Sequence, residues 1–203
     1  MSKKLCLALA ALAAVAAPSL ASAQAAGDLL VRARVVNLDP ANKDTVAITD
    51  VSVNSKVIPE VDFSYFITPN LAAELILTVP QKHDVRSTAH GGKIGTLKHL
   101  PPTLTLQYHF TDLGLGGLRP YVGAGLNYTR FSSVSLPAGY AIEKNSVGLA
   151  LQLGADYAID KNWSVNVDVK KVTIRTDLSL NGGTLGTLKV DPLLVGVGVG
   201  YKF

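Results

Sequence analysis

The last stretch of the chain, Leu193 to Phe203 (LLVGVGVGYKF), alternates bulky apolar residues with small or polar ones, mostly glycine. Successive side chains of a β-strand point to opposite faces, so this period of two predicts a strand with one apolar face and one nearly bare face. Glycines on an exposed face would weaken the strand without benefit, whereas they suit the crowded inside of a narrow barrel. The apolar face is therefore predicted to point outward, into lipid.

Seven earlier segments repeat the alternation, and their approximate limits are 28–38, 57–67, 71–79, 100–110, 119–131, 146–158 and 163–174. Each is about the length, or slightly longer, that a tilted strand needs to cross a bilayer. With the final strand they make eight, and an even count returns both termini to one side. The fold predicted is all-β: an eight-stranded antiparallel transmembrane β-barrel with both termini periplasmic.

The connections between these segments differ systematically in length. Short turns are predicted at 68–70, 111–118 and 159–162, and long loops at 39–56, 80–99, 132–145 and 175–191. Short periplasmic turns and long external loops are typical of outer-membrane barrels. Aromatic residues of the apolar face gather beside the short turns and the C-terminus, as an interfacial girdle would: Tyr65, Tyr108, Phe110, Tyr157, Trp163, Tyr201 and Phe203.

The N-terminus has the order of a secretory signal peptide. Lys3 and Lys4 precede an apolar run, and the small residues Ala21-Ser22-Ala23 follow it. Cleavage after Ala23 is predicted to leave residues 24–203 as a single barrel domain in the bacterial outer membrane. No later run approaches 18 apolar residues, which excludes a helical membrane protein.

Charge and motifs exclude several function classes. The net charge of +4 falls to +2 without Lys3 and Lys4, too little for a nucleic-acid surface. His83, Asp84 and Ser87 offer the residue types of a catalytic triad, but they belong to a segment predicted as a solvated loop.

The spacing of His83, His90 and His99 matches no usual metal site. We therefore predict no enzymatic activity, no cofactor and no metal.

The inward face divides into two layers by height. Its lower part is predicted to hold a network of charged side chains: Arg32, Arg34, Glu60, Asp62, Glu74, Asp168 and Lys170. Buried charges must be paired, so the network is either a satisfied interior or a selectivity filter. Its upper part is predicted to be an apolar vestibule lined by Val36, Ile58, Ile76, Phe131, Val172 and Leu194. The vestibule is either ordinary packing beneath the loops or a pocket for an apolar solute.

Two segments carry a family resemblance: Tyr121–Tyr128 (YVGAGLNY) and Gly196–Phe203 (GVGVGYKF). With the signal peptide and first strand, they make the mature chain similar to the OmpW family over essentially its whole length. The resemblance implies a monomeric barrel with a narrow, largely closed lumen that admits small hydrophobic molecules from outside. It also implies that the strand ending at Phe203 is read by the barrel assembly machinery.

The function predicted is a passive conduit or binding site for small hydrophobic molecules. The partners predicted are outer-membrane lipid, the assembly machinery and the solute. The alternative is a structural barrel, or a surface receptor for phage or bacteriocins, with a closed lumen.

Overall fold

The computed structural model describes residues 24–41, 43–44, 51–87 and 91–203. The predicted signal peptide (1–23) and His90 lie outside these described residues. Within them, no helix is long and apolar enough to cross a membrane.

Fifteen strands follow one another along the described chain. They are β1 (Leu29–Asp39), β2 (Lys43–Asp44), β3 (Val51–Val53), β4 (Lys56–Phe66), β5 (Leu71–Thr78), β6 (Gln81–Ser87), β7 (Gly92–Leu100), β8 (Thr103–His109), β9 (Leu118–Ser135), β10 (Tyr140–Ile142), β11 (Asn145–Ala158), β12 (Trp163–Val172), β13 (Arg175–Leu180), β14 (Gly183–Lys189) and β15 (Leu193–Lys202).

Eight of these strands close into an antiparallel barrel in the order β1, β4, β5, β8, β9, β11, β12, β15, with β15 paired to β1. Each of the eight overlaps one predicted segment. The all-β, eight-stranded fold predicted from period-two alternation is therefore confirmed. Asp28 and Phe203 lie together at one end, where the Phe203 amide donates to the Leu29 carbonyl over 2.9 Å. We call this the terminal end and the opposite one the loop end.

Burial is inverted relative to a water-soluble domain. Large apolar side chains on alternate positions of every barrel strand are exposed, such as Val147 at 71% and Leu151 at 61%. Charged side chains at the intervening positions are buried, and Arg32 has no exposed surface. This arrangement suits a barrel whose outside meets hydrocarbon, because lipid does not penalise exposed apolar surface and the ions are shielded within.

Glycines on the inner face make room for bulky lumen side chains. A Cβ at Gly154 would lie 2.4 Å from the ring of Tyr121, its partner on β9. A Cβ at Gly200 would lie 3.0 Å from Cγ of Arg32, its partner on β1. Small residues inside are therefore required by what lies opposite them.

The prediction that 80–99 and 175–191 are loops was wrong. β6 and β7 pair as a hairpin, β7 continues onto the upper part of β9, and β3 pairs with β6. β13 and β14 form a second hairpin, flanked by β10 and β2 in a four-stranded sheet. Polar side chains cover the outer face of these hairpins, so their sequences lack the row of outward apolar residues that marks the membrane-crossing strands. The backbone hydrogen-bond ladders nevertheless continue beyond the lipid-facing part of the barrel.

We expect Leu151→Arg to destabilise the barrel by roughly 2 to 4 kcal/mol, the cost of an arginine on the lipid face near the bilayer midplane. Val147→Arg, nearer the loop end on the same strand and face, is the matched control and should cost about 0 to 1 kcal/mol. Urea unfolding in lipid vesicles measures both. Equal losses for the two variants would contradict the assignment of β11 as a membrane-crossing strand.

Candidate functional site

Arg32 lies at the centre of the lumen, where its guanidinium donates hydrogen bonds to side chains of four other strands, β4, β5, β8 and β11. Its guanidinium donates to Asp62 Oδ1 at 2.8 Å, Asp156 Oδ2 at 3.0 Å and Glu74 Oε1 at 2.9 Å. It also donates to Ser64 Oγ at 2.7 Å. Asp62 is its direct cross-strand partner on β4, so the hairpin itself sets this ion pair. Ser64 is on the same neighbouring strand, whereas Glu74 on β5 and Asp156 on β11 reach Arg32 from strands that do not pair with β1.

Arg34 and Lys170 form a second tier nearer the loop end. Arg34 pairs with Glu60 at 2.9 Å, and Lys170 reaches the same Oε1 atom at 2.6 Å. Asp168 lies 2.9 Å from Lys170 and 3.4 Å from Arg34. We call these two tiers the charge belt; its members are Arg32, Arg34, Glu60, Asp62, Glu74, Asp156, Asp168 and Lys170. All seven residues predicted for a lumen charge network lie in it, together with Asp156.

Tyr121 is a member of the lumen that the sequence reasoning missed. Its hydroxyl donates to Asp168 Oδ2 at 2.8 Å, and its ring lies 5.1 Å from the Arg32 guanidinium carbon and stacks on His109. Alternation on β9 already placed Tyr121 on the same face as Gly123.

Hydrogen bonds from neutral side chains complete the belt. Gln152 donates to Asp168 Oδ2 at 2.7 Å and Thr105 to Glu74 Oε2 at 2.7 Å. Asn166 donates to Asp156 Oδ1 at 2.8 Å. A lumen so filled and cross-linked leaves no open aqueous path at this height, since an eight-stranded barrel is only wide enough for its own side chains.

An apolar plug fills the lumen between the belt and the loop end. It is a contiguous cluster of buried side chains: Val36, Leu38, Val53, Ile58, Val85, Leu97, Phe131, Ala150, Val172, Ile174, Leu188, Val190 and Leu194. Five of the six residues predicted for a vestibule belong to it, and the sixth, Ile76, is buried beside it at 3% exposure. Five plug residues come from segments predicted as loops: Val53, Val85, Leu97, Leu188 and Val190.

A small cavity of about 20 Å³ remains between plug and belt. Four predicted vestibule residues line it, namely Ile58, Ile76, Val172 and Leu194, and Glu60 and Lys170 of the belt form its floor. A cavity of this size has room for roughly one water molecule. Val36 and Phe131 do not line it. Any larger solute therefore requires plug side chains to move.

The barrel wall beside the cavity has a break in its backbone pairing, which we call the wall gap. Ladder pairs join Ile76 to Thr103 below it and Gln81 to His99 above it. Between them, residues 77–80 and 100–102 form no ladder pair with each other, and Pro80, Pro101 and Pro102 lie in this interval. Proline lacks the N–H that a ladder needs, so the break follows from the sequence. Thr78 and Pro101 of the gap also line the cavity, and Ile76 lines it directly below the gap.

The prediction that His83 and His99 lie in a solvated loop was wrong. They occupy the inner faces of β6 and β7, are 1% and 3% exposed, and stack with ring centroids 4.7 Å apart. His83 Nδ1 lies 3.0 Å from the Asn54 carbonyl oxygen. Burial lowers the pKa of His83, and burial beside His83 and Lys56 lowers the pKa of His99 to about 3. The pair is therefore neutral at physiological pH and lies within the plug, between Phe131 on one side and Val85 and Leu97 on the other.

Comparisons with known proteins agree with this architecture. The model described as "OmpW family" matches residues 25–203. The chain is 45% identical over 175 residues to the "Uncharacterized outer-membrane protein y4mB" of Sinorhizobium fredii, which covers 83% of this chain and 76% of that protein. It is 32% identical over 151 residues to the "Dibenzothiophene metabolism operon protein PahQ" of Pseudomonas aeruginosa, covering 70% and 69%. The crystal structure of OprG from Pseudomonas aeruginosa is similar over 89% of this chain and 97% of that chain, with 29% identity and a TM-score of 0.78.

We expect Arg32→Met to destabilise the barrel by about 3 to 5 kcal/mol, because it leaves several buried carboxylates without their shared cation. The matched control is Arg175→Met, which removes a half-exposed ion pair with Asp191 and should cost about 0 to 1 kcal/mol. Urea unfolding followed by circular dichroism measures both. Similar small losses in the two variants would contradict the belt as a mutually dependent network.

We expect the β6–β7 hairpin to loosen as pH falls from about 6.5, the ordinary histidine value, towards 3. Folding lowers the pKa of both histidines, so the neutral pair contributes its full stability above about pH 6.5. That contribution is lost as the pH falls from 6.5 towards 3. Hydrogen exchange of hairpin amides should accelerate relative to barrel amides. His83→Phe combined with His99→Phe should remove that pH dependence; its persistence in the double variant would assign the effect to other groups, such as Asp84.

Proposed function

The chain belongs to the OmpW family of outer-membrane proteins, and from this membership we propose that it is a passive conduit for small hydrophobic molecules. The solute is proposed to enter at the loop end and to occupy the space between the apolar plug and the charge belt. A relative whose name places it in an operon for metabolism of dibenzothiophene, an apolar aromatic compound, supports this choice of solute class.

The observation that carries the proposal is the position of the cavity. Apolar side chains surround it on the plug side, and the wall gap lies at its flank. A solute that parts the plug would find apolar contacts and little competing polar surface, which is how small-molecule pockets are generally lined. Glu60 and Lys170 at the floor are engaged in ion pairs, and the other polar side chains of the lining, Thr78, Thr103 and Asn127, are hydrogen-bonded within the protein.

The belt argues against onward passage along the barrel axis. A hydrophobic molecule moving down would have to separate Arg34 and Lys170 from Glu60, leaving buried charges unpaired. Passage through the wall gap breaks no ladder hydrogen bond, because none joins its two sides. We therefore propose that the solute leaves sideways, into the hydrocarbon beside Leu77 and Val79, whose side chains point outward.

The proposal needs the loop end to face the cell exterior and the terminal end to face the periplasm. The longer connections, the β3–β6–β7 extension of the barrel sheet and the separate four-stranded sheet lie at the loop end, whereas the terminal end has short turns. That asymmetry supports the orientation, since outer-membrane barrels place their longer connections outside.

A closed structural barrel or surface receptor is the second candidate. The observation in its favour is the plug itself, which leaves a cavity of only about 20 Å³. In that case the extended hairpins at the loop end would carry the function by presenting a surface. The two candidates differ in whether the plug opens.

We expect Val172→Trp to reduce uptake of a fluorescent naphthalene probe into protein-containing liposomes by roughly ten-fold. The indole would occupy the cavity that the solute needs, and a loss of about 1.4 kcal/mol in solute binding corresponds to a factor of ten. Val172 lines the cavity.

The matched control is Val169→Trp on the outward face of the same strand, which should leave uptake unchanged. Folding of both variants is checked by their migration before and after boiling on a detergent gel. If parent and Val172→Trp protein take up the probe equally, the closed barrel becomes the better account.

A further inference from the structure

Three basic side chains gather on the outer face of the loop end, immediately above the wall gap. Lys82 and Lys98 are direct cross-strand partners on β6 and β7. Lys98 pairs in turn with Ser132 on β9, and Arg130 lies two residues before Ser132 on the same face. Lys82 and Arg130 are exposed and Lys98 is half-buried. We call these three residues the basic patch.

The basic patch has no internal counter-charge. Within the residues that the structure describes, none of its three members has a carboxylate within 4.0 Å. Asp84, two residues after Lys82 on the same face of β6, is paired with Lys93 at 2.7 Å. On the far side of the loop end, by contrast, Arg175 pairs with Asp191 and Lys171 donates to the Asp191 carbonyl.

Two like charges directly opposite each other destabilise a sheet. The Lys82–Lys98 pair is such an arrangement, and Arg130 adds a third positive charge beside it. An anion held between them would remove the repulsion. Arginine and lysine together offer a forked donor and two point charges, which is the combination that phosphate groups accept best.

The position of the patch identifies the kind of anion. Directly below Arg130 on the same face of β9 lie Tyr128 and Leu126, which are 47% and 59% exposed to the hydrocarbon side. The apolar surface thus passes into the basic patch within two residues, at the height where lipid headgroups meet water. A ligand with phosphate at this height and acyl chains below it matches both surfaces.

We propose that the basic patch binds the phosphate groups of a phosphorylated glycolipid in the leaflet at the loop end. The inference rests on the orientation given under the proposed function, but not on passage of any solute. Each basic residue near an anionic lipid surface contributes about a five-fold gain in binding. The acyl chains of the bound lipid lie on the outward face of β8 and β9, beside the wall gap.

The test uses the full mature protein in detergent and counts bound lipid by native mass spectrometry. The probes are diphosphorylated lipid A, its dephosphorylated form and inorganic pyrophosphate. We expect the parent to retain diphosphorylated lipid A. The triple variant Lys82→Gln, Lys98→Gln, Arg130→Gln should bind it at least about ten-fold more weakly. Gel migration before and after boiling verifies that each variant is folded.

The matched control is the triple variant Lys171→Gln, Arg175→Gln, Lys189→Gln, which removes the same charge from the same end of the barrel. Retention by this control, with loss in the patch variant, supports the proposal. Equal loss in both variants would show general charge attraction and overturn it. Equal binding of dephosphorylated lipid A, or of pyrophosphate without any lipid, would overturn the assignment to a phosphorylated lipid. Probe uptake measured on the same patch variant tests the conduit separately.

Discussion

The ion pairs of Arg32 are the constraint around which the lumen is arranged. A guanidinium with no exposed surface would be prohibitively costly unless its donors were satisfied, and here carboxylates from β4, β5 and β11 satisfy them. These contacts join opposite walls of the barrel. The glycine at position 200 lies beside Arg32 for the same reason, because a larger residue would displace the side chain on which the ion pairs depend.

The belt also determines what the rest of the lumen can do. Because it closes the barrel axis, the volume above it can be filled with apolar side chains without a continuous water path beneath them. The plug and the cavity follow from that division. Prolines at the wall gap then leave this apolar layer with a flank that carries no ladder hydrogen bonds, while the stacked pair of His83 and His99 packs inside its upper part.

At the loop end, the outer face of a single strand passes from lipid into water. Below, the outer face of β9 is apolar and suited to lipid; above Tyr128 it becomes basic and hydrophilic. The extension of β6, β7 and β9 beyond the apolar band keeps these polar side chains at a fixed height and in a fixed register. A flexible loop could not hold Lys82 and Lys98 opposite each other against their repulsion.

The sequence by itself determined the barrel, because the period of two is a local property. Residues an odd number of positions apart in a strand, such as Arg32 and Val35, point to opposite faces wherever the strand lies. It also determined the height of charged and apolar layers, since strand position fixes height. Only the tertiary structure decided which partners meet across the lumen, as when Asp156 on β11 reaches Arg32. The packing of Val85 and Leu97 into the plug was decided there too. Contacts between distant strands depend on closure and shear of the whole sheet, which no local pattern encodes.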